Sequence, residues 1–417
     1  MESLFIEQQS IETKKELLLN YLAIASVSLY LINLYAHLSL YSTTIAKLAK
    51  IMFFVGIVLY IVLRKGNWNY KLSGYHVWWG AFLLVSIVFT LRAGTLFSSS
   101  FWQLVADQKN IIASLLIFEA IRSKQNLYRV LGLTAIIAGV SAAVFLVNTY
   151  GWTLSGSLSY TWVNRMPETL GDNPNVLGGM YAIAFVFGAF LLYKRKNFLY
   201  CLFLIPILIY ILFTGSKRAL LFLLLSIASL FILDLKSSFV VKLLKAFIIA
   251  ILILILYNAL MDIPLFYTVV GYRFEGMINS LTGQGSIDAS TFERQMFISE
   301  GWEQFLSAPF SGHGYYTFPY INTVAYGKYA HNNYIELLAD MGVTGLVVYY
   351  ALPIWLLKGL YSIYKKSDDE SKNLSILLII LIMVTLITDI SFVSYMFPVT
   401  YVLFAVTAAF IKLYEGA

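Results

Sequence analysis

Residues 311–346 read SGHGYYTFPYINTVAYGKYAHNNYIELLADMGVTGL. The stretch is polar and punctuated by glycine, holds His313 and His331, and runs without a break into an apolar segment. The sequence around it is hydrophobic enough to lie in lipid, so water-facing chemistry has to be sited here and in the segment just before. Of 417 residues, 59% are hydrophobic and 12% charged, and mean hydropathy is +0.76. A soluble domain carries about 25% charged residues. The fold class is therefore an all-α polytopic membrane protein, with no room for a large soluble domain.

Composition also excludes several classes. The net charge of +7 comes without any basic tract interleaved with aromatic residues, so nucleic acid is not an expected partner. A single cysteine, Cys201, lies in an apolar run and rules out an intramolecular disulfide. The segment Glu2–Glu16 lacks the basic start and small-residue cleavage site of a signal peptide. Lys328 follows Gly327 but lacks the flanking residues of a phosphate-binding loop. Asp368 and Asp369 sit among lysines and read as a solvated charge run, and no His, Cys and carboxylate spacing suggests a metal site. No cofactor is expected.

A run of about 20 apolar residues spans a bilayer core. Twelve such runs are present: 18–38, 45–63, 75–91, 104–121, 128–148, 174–193, 197–213, 219–234, 240–260, 340–361, 374–390 and 396–412. The fourth is the weakest, because Asp107, Gln108, Lys109 and Asn110 interrupt it; a short or re-entrant helix is an alternative there. With the N-terminus inside, about two-thirds of the basic residues fall on one side, in every alternate loop. Both termini are then cytoplasmic. The chain divides into spans one to nine (1–260), a large extracytoplasmic loop (261–339) and spans ten to twelve (340–417).

That loop is too long to be a plain connector. Ser290 and Glu293 form a capping-box pattern ahead of a helix reaching about Leu306, with apolar residues along one face suited to a membrane surface or to covering a cavity. Pro309 ends it, the glycines turn the chain, and a second helix starts near Asn332 and leads into span ten. Basic residues on the outer side break the charge pattern: Arg165, Lys217, Arg218, Arg273, Arg294 and Lys328. Such residues at a membrane surface are functional candidates, set against the plainer reading that each snorkels to headgroups. Arginine binds phosphate through a planar, permanently charged fork, and a cluster suits a diphosphate at the bilayer surface. His331 is the best placed general base, although the same ring can simply hold loop backbone. His313, between two glycines, suits a binding or structural role.

The elements FTGSKRALLFLLLS (213–226), FERQMFISEGWEQFLSAPFSGHGYYTF (292–318) and HNNYIELLADMGVTGL (331–346), in this order and membrane context, resemble the O-antigen ligase and polymerase superfamily. The similarity covers residues 165–360 in motifs. It departs at Lys217, where the family often has serine directly before arginine. The resemblance implies a GT-C-like membrane glycosyltransferase with a helical cap over the active cavity, acting without a metal. It implies His331 as the catalytic residue and Arg165, Arg218 and Arg294 as pyrophosphate ligands; beside these, Lys217, Arg273, His313 and Asn332 are further substrate-binding candidates. The implied partners are an undecaprenyl-pyrophosphate-linked oligosaccharide donor, a glycan acceptor, the lipid bilayer of the bacterial inner membrane and a chain-length regulator protein. Polymerisation of lipid-linked repeat units is the favoured reaction, because the tyrosine-rich loop suits stacking on sugars. A ligase that moves finished glycan to a lipid core or protein is the alternative, and a lipid or glycan transporter is the reading from another class.

Overall fold

Each of the twelve apolar runs lies largely in a helical segment of the computed structural model. The structure describes residues 2–39, 43–63, 72–94, 99–150, 174–232, 238–262, 267, 271, 275 and 289–415. Among them there are no strands. The α-helices are α1 (Glu2–Ser39), α2 (Thr43–Leu63), α3 (Gly74–Arg92), α4 (Ser99–Ala120), α5 (Lys124–Tyr150), α6 (Pro174–Arg195), α7 (Cys201–Thr214), α8 (Lys217–Ile232), α9 (Phe239–Asp262), α10 (Ala289–Ser307), α11 (Phe318–Ile321), α12 (Asn333–Lys366), α13 (Asp369–Thr388) and α14 (Pro398–Glu415).

Six helical stretches are long and apolar enough to cross a membrane: Lys15–Tyr35, Gly74–Arg92, Lys124–Asn148, Pro174–Arg195, Asn333–Lys366 and Asp369–Ser391. Phe198–Thr214 and Pro398–Tyr414 are shorter apolar helices. The chain is thus a polytopic all-α membrane protein.

Packing follows small residues, as expected where lipid supplies no hydrophobic drive between helices. A Cβ on Gly139 would come within 2.7 Å of the Phe203 backbone, so α5 and α7 touch closely; one on Gly178 would meet Thr214, Ser216 and Ala219 at 2.8–2.9 Å. That second contact seats α6 against the turn between α7 and α8. Helix α12 is the pivot of the C-terminal half and packs on α3, α10, α13 and α14, while α13 also reaches α8.

The fourth run lies in a continuous 22-residue helix. Its buried Asp107 is satisfied in place: it accepts hydrogen bonds from Tyr315 Oη at 2.9 Å and from Gln103 Nε2 at 3.1 Å. Basic residues that the sequence assigns to one side also find partners. Arg122 and Lys412 meet Glu119 at 3.4 and 3.2 Å, and Lys194 meets Glu370 at 3.3 Å.

Between α9 and α12 the expectations are met in outline and corrected in detail. Helix α10 starts at Ala289, so Ser290 lies inside its first turn and does not cap it. Glu293 instead pairs with Lys328 across the loop, at 2.6 Å. Phe297 and Gly301 face inward: Phe297 lies edge-on to Phe318 at 6.0 Å, and a Cβ on Gly301 would come within 2.3 Å of Ile335. Phe292, Met296, Trp302 and Leu306 point outward and are exposed. The second helix begins at Asn333 with Asn332 as its cap, as expected, and runs into span ten with a break at Gly342.

Candidate active site

The turn between α7 and α8 is built by its sequence, TGSKR. Gly215 ends α7 in the left-handed conformation (φ 57°), and its amide donates to Leu212 O at 3.1 Å. Ser216 opens α8: its hydroxyl accepts from the Ala219 amide at 3.3 Å and its carbonyl from the Leu220 amide at 3.1 Å. Lys217 and Arg218 are therefore the first two residues of a helix. Cations are disfavoured at this positive end of the helix dipole, whereas anions are favoured. An anionic ligand resolves the mismatch, and free amides at a helix start suit phosphate in particular.

The Arg218 side chain reaches the end of α13. Its Nε donates to Thr388 Oγ1 at 3.0 Å, and its guanidinium carbon lies 3.5 Å from the Phe392 ring centroid. The guanidinium is held over an aromatic ring, and its terminal nitrogens have no hydrogen-bond partner among the described residues. Asp389, fully buried next to Thr388, acts electrostatically on Arg218. Its Oδ2 accepts from Tyr350 Oη at 2.8 Å, Ser394 Oγ at 3.0 Å and Asn333 Nδ2 at 3.3 Å.

Asn333 carries this network to the start of α12. Its Oδ1 accepts the Tyr395 amide at 3.1 Å. The preceding residue, Asn332, is the N-cap, its side-chain oxygen accepting from the amides of Tyr334 and Ile335 at 3.0 and 3.1 Å. His331 comes immediately before, with φ of 55°. Its ring sits beside Tyr329, 4.2 Å between centroids, and Phe297, 6.2 Å away. Among the described residues nothing is hydrogen-bonded to the imidazole. Burial pushes its pKa down to about 4, with the charges of Arg294 and Lys328 acting in the same direction and Glu293 opposing them. The ring is neutral at pH 7 and holds a free lone pair. Tyr329 is also among the groups that act electrostatically on Arg218.

Arg294 acts electrostatically on His331, Asp389 acts on Arg218 and accepts a hydrogen bond from Asn333, and Asn332 is the helix cap next to His331. The structure separates His313 from these residues. That ring is held by Ser307 Oγ at 2.9 Å and by the backbone carbonyl of Gln304 at 3.0 Å, at the far end of α10. Arg165 and Arg273 lie outside the described residues. Sequence reading missed Asp389, Asn333, Tyr350 and Phe392; an aspartate inside the apolar run TLITDISFVSY was the available signal. Among the described residues no group of three or more His, Cys, Asp and Glu is placed to hold a metal ion.

Residues 202–350 match a family model described as O-antigen ligase. The match spans α7 to the first half of α12 and includes the TGSKR turn, Arg294, His313 and His331. Over these residues the match supports the resemblance to the O-antigen ligase and polymerase superfamily. No curated protein matches the chain. The matched family indicates a membrane enzyme of the O-antigen ligase or polymerase type and implies lipid-linked glycans as its class of substrate.

Proposed function

We propose that the protein is a glycosyltransferase of the bacterial inner membrane that takes a glycan from an undecaprenyl-pyrophosphate donor and joins it to a sugar hydroxyl. The observation that carries this reading is the Arg218 fork, presented at a helix N-terminus and linked through Asp389 and Asn333 to the turn bearing His331. The acceptor hydroxyl attacks the anomeric carbon, its proton passes to the neutral His331, and the bond from that carbon to the pyrophosphate oxygen breaks. The leaving lipid pyrophosphate keeps the electron pair. Arg218 and Arg294 stabilise the charge that builds there, as preorganised donors do in a site shielded from water; Lys217, Arg165 and Arg273 supply further positive charge. His313 and Asn332 act through the fold of the loop and the helix cap. No metal is required in this scheme. Twelve spans in a GT-C-like arrangement, with both termini inside and residues 261–339 facing out, accord with the alternating basic loops.

Polymerisation of repeat units is the favoured reaction, supported by the edge-to-face series Tyr316, Tyr320 and Tyr326, each step 5.8 Å between centroids, on the loop that leads to His331. Aromatic faces there suit a long glycan, and a chain-length regulator is a fitting partner. Ligation is the second reading, favoured by the description of the matched family. Purified protein incubated with lipid-linked repeat units alone decides between them. A ladder of products marks a polymerase, and transfer only after a second acceptor is added marks a ligase. Movement of the lipid without new bonds overturns the reading in favour of a transporter.

A further inference from the structure

We infer that Glu336 is a positioning residue for His331, acting through the amide of Ala330 to hold the turn that aims the imidazole. The inference rests on the glycosyl-transfer reading of His331. Glu336 is fully buried. Its Oε2 accepts the backbone N–H of Ala330, the residue just before His331. Its Oε1 has no hydrogen-bond partner among the described residues. Asp340, one helical turn further on, is also fully buried. Burying two carboxyl groups one turn apart is costly, and an unsatisfied buried oxygen is destabilising. A leucine would fill this space without either penalty, so what the side chain contributes is the bond to Ala330.

That bond has an unusual reach. In a capping box the third helical residue turns back to the N-cap amide. Here the fourth helical residue passes beyond the cap, Asn332, and beyond His331. The histidine is therefore bracketed, with its following residue fixed as a helix cap and its preceding amide fixed by Glu336. Between these anchors its backbone is left-handed, at φ 55°. Residues with a Cβ seldom adopt this conformation and keep it only where the surroundings impose it. The turn sets the ring between Tyr329 and Phe297, and an error of about 1 Å in such a group can cost about 100-fold in rate.

The test uses the full chain in detergent with Glu336→Gln, Glu336→Asp and Glu336→Leu. Gln keeps the acceptor at the same reach without the charge; Asp keeps the charge but falls short of Ala330; Leu removes both. Two readouts are taken: kcat and donor KM, and the rate at which diethyl pyrocarbonate modifies His331, resolved by mass spectrometry from the other histidines. Asp and Leu are expected to lower kcat by about 10- to 100-fold with donor KM little changed, and to raise His331 modification several-fold. Gln is expected to stay near wild type in both. If Leu fails to fold, the Asp and Gln pair still decides. Wild-type behaviour of Glu336→Asp, or a loss in Glu336→Gln as large as in Glu336→Leu, overturns the inference. The modification rate needs no turnover. A wild-type protein that transfers no glycan, with His331 protection still following this order, would defeat the glycosyl-transfer reading and leave the positioning role standing.

Discussion

The carbonyl of Pro309 accepts the amide of Val343 at 2.8 Å, tying the SGHG loop across the break in α12. Two further bonds complete the tie: the His313 amide donates to Ala339 O at 3.0 Å and the Gly314 amide to Asp340 O at 2.8 Å. The break at Gly342 (φ 62°, ψ −165°) leaves helical backbone groups without helical partners, and buried backbone groups must be paired. The loop pairs them, which explains why two motifs about twenty residues apart occur together.

Gly342→Ala should therefore be severe. A Cβ there would lie 2.5 Å from the Phe310 carbonyl carbon, in a conformation reserved for glycine. Gly327, at φ 82° with open space around it, provides the control, since Gly327→Ala carries strain of about 1–3 kcal/mol and no clash. Thermal unfolding in detergent should rank Gly342→Ala well below Gly327→Ala. Equal midpoints would show that the loop does not lock onto the kink.

Asp340 is expected to hold the loop from beneath. Its Oδ1 accepts from the amides of Thr317 and Phe318 at 2.9 and 2.8 Å, and its Oδ2 from Tyr395 Oη at 2.8 Å. Asp340→Ala leaves these three buried donors unsatisfied, at about 1–3 kcal/mol each, and should reduce folded yield sharply. Asp340→Asn keeps the Oδ1 acceptor and should be milder. A fully stable alanine variant would mean that water or a shifted loop replaces the carboxylate.

Much of this was legible in the sequence, and what was not has a physical cause. Apolar run length placed the apolar helices because a bilayer imposes that length directly. Asn332 marked the start of α12 because helix caps depend on local residue type, whereas the kink at Gly342 became visible only in the folded chain. Ser290 misled because its capping pattern was one position inside the helix, while Glu293 found a partner 35 residues away in Lys328. Asp389 was invisible for the related reason that its partners, Asn333 and Tyr350, come together only in the folded chain. The flanking glycines already set His313 apart from His331 as a binding or structural residue, and packing shows its ring held by Gln304 and Ser307.

Arg218→Lys keeps the charge and loses the planar fork. Loss of one charge-assisted hydrogen bond, about 1.5–3 kcal/mol, corresponds to a fall in transfer of roughly 10- to 100-fold. Phe392→Leu removes the ring 3.5 Å from the guanidinium and should cost less, about 0.5–2 kcal/mol. Both changes should appear in the kinetics measured with lipid-linked donor. Near-normal transfer by Arg218→Lys would reduce the arginine to a point charge.

His331 ties pH to both stability and rate. Its folded pKa, about 4, lies below the usual value of about 6.5. Between those values the unfolded chain takes up a proton that the folded chain refuses, so this group's contribution to stability falls as pH drops from about 6.5 to 4 and is level outside that window. His331→Ala should flatten that part of the stability profile. In the free enzyme the acid limb of kcat/KM should lie near 4, and Arg294→Gln should move it upward by removing a neighbouring positive charge. A bound diphosphate raises the pKa further, so the limb of kcat should lie above that of kcat/KM. A positioned base contributes about 10²–10⁴-fold, and His331→Ala should lose transfer by that order while still binding donor. A well-folded His331→Ala protein with normal turnover and an unchanged pH profile would remove the base from His331 and leave the ring a structural role.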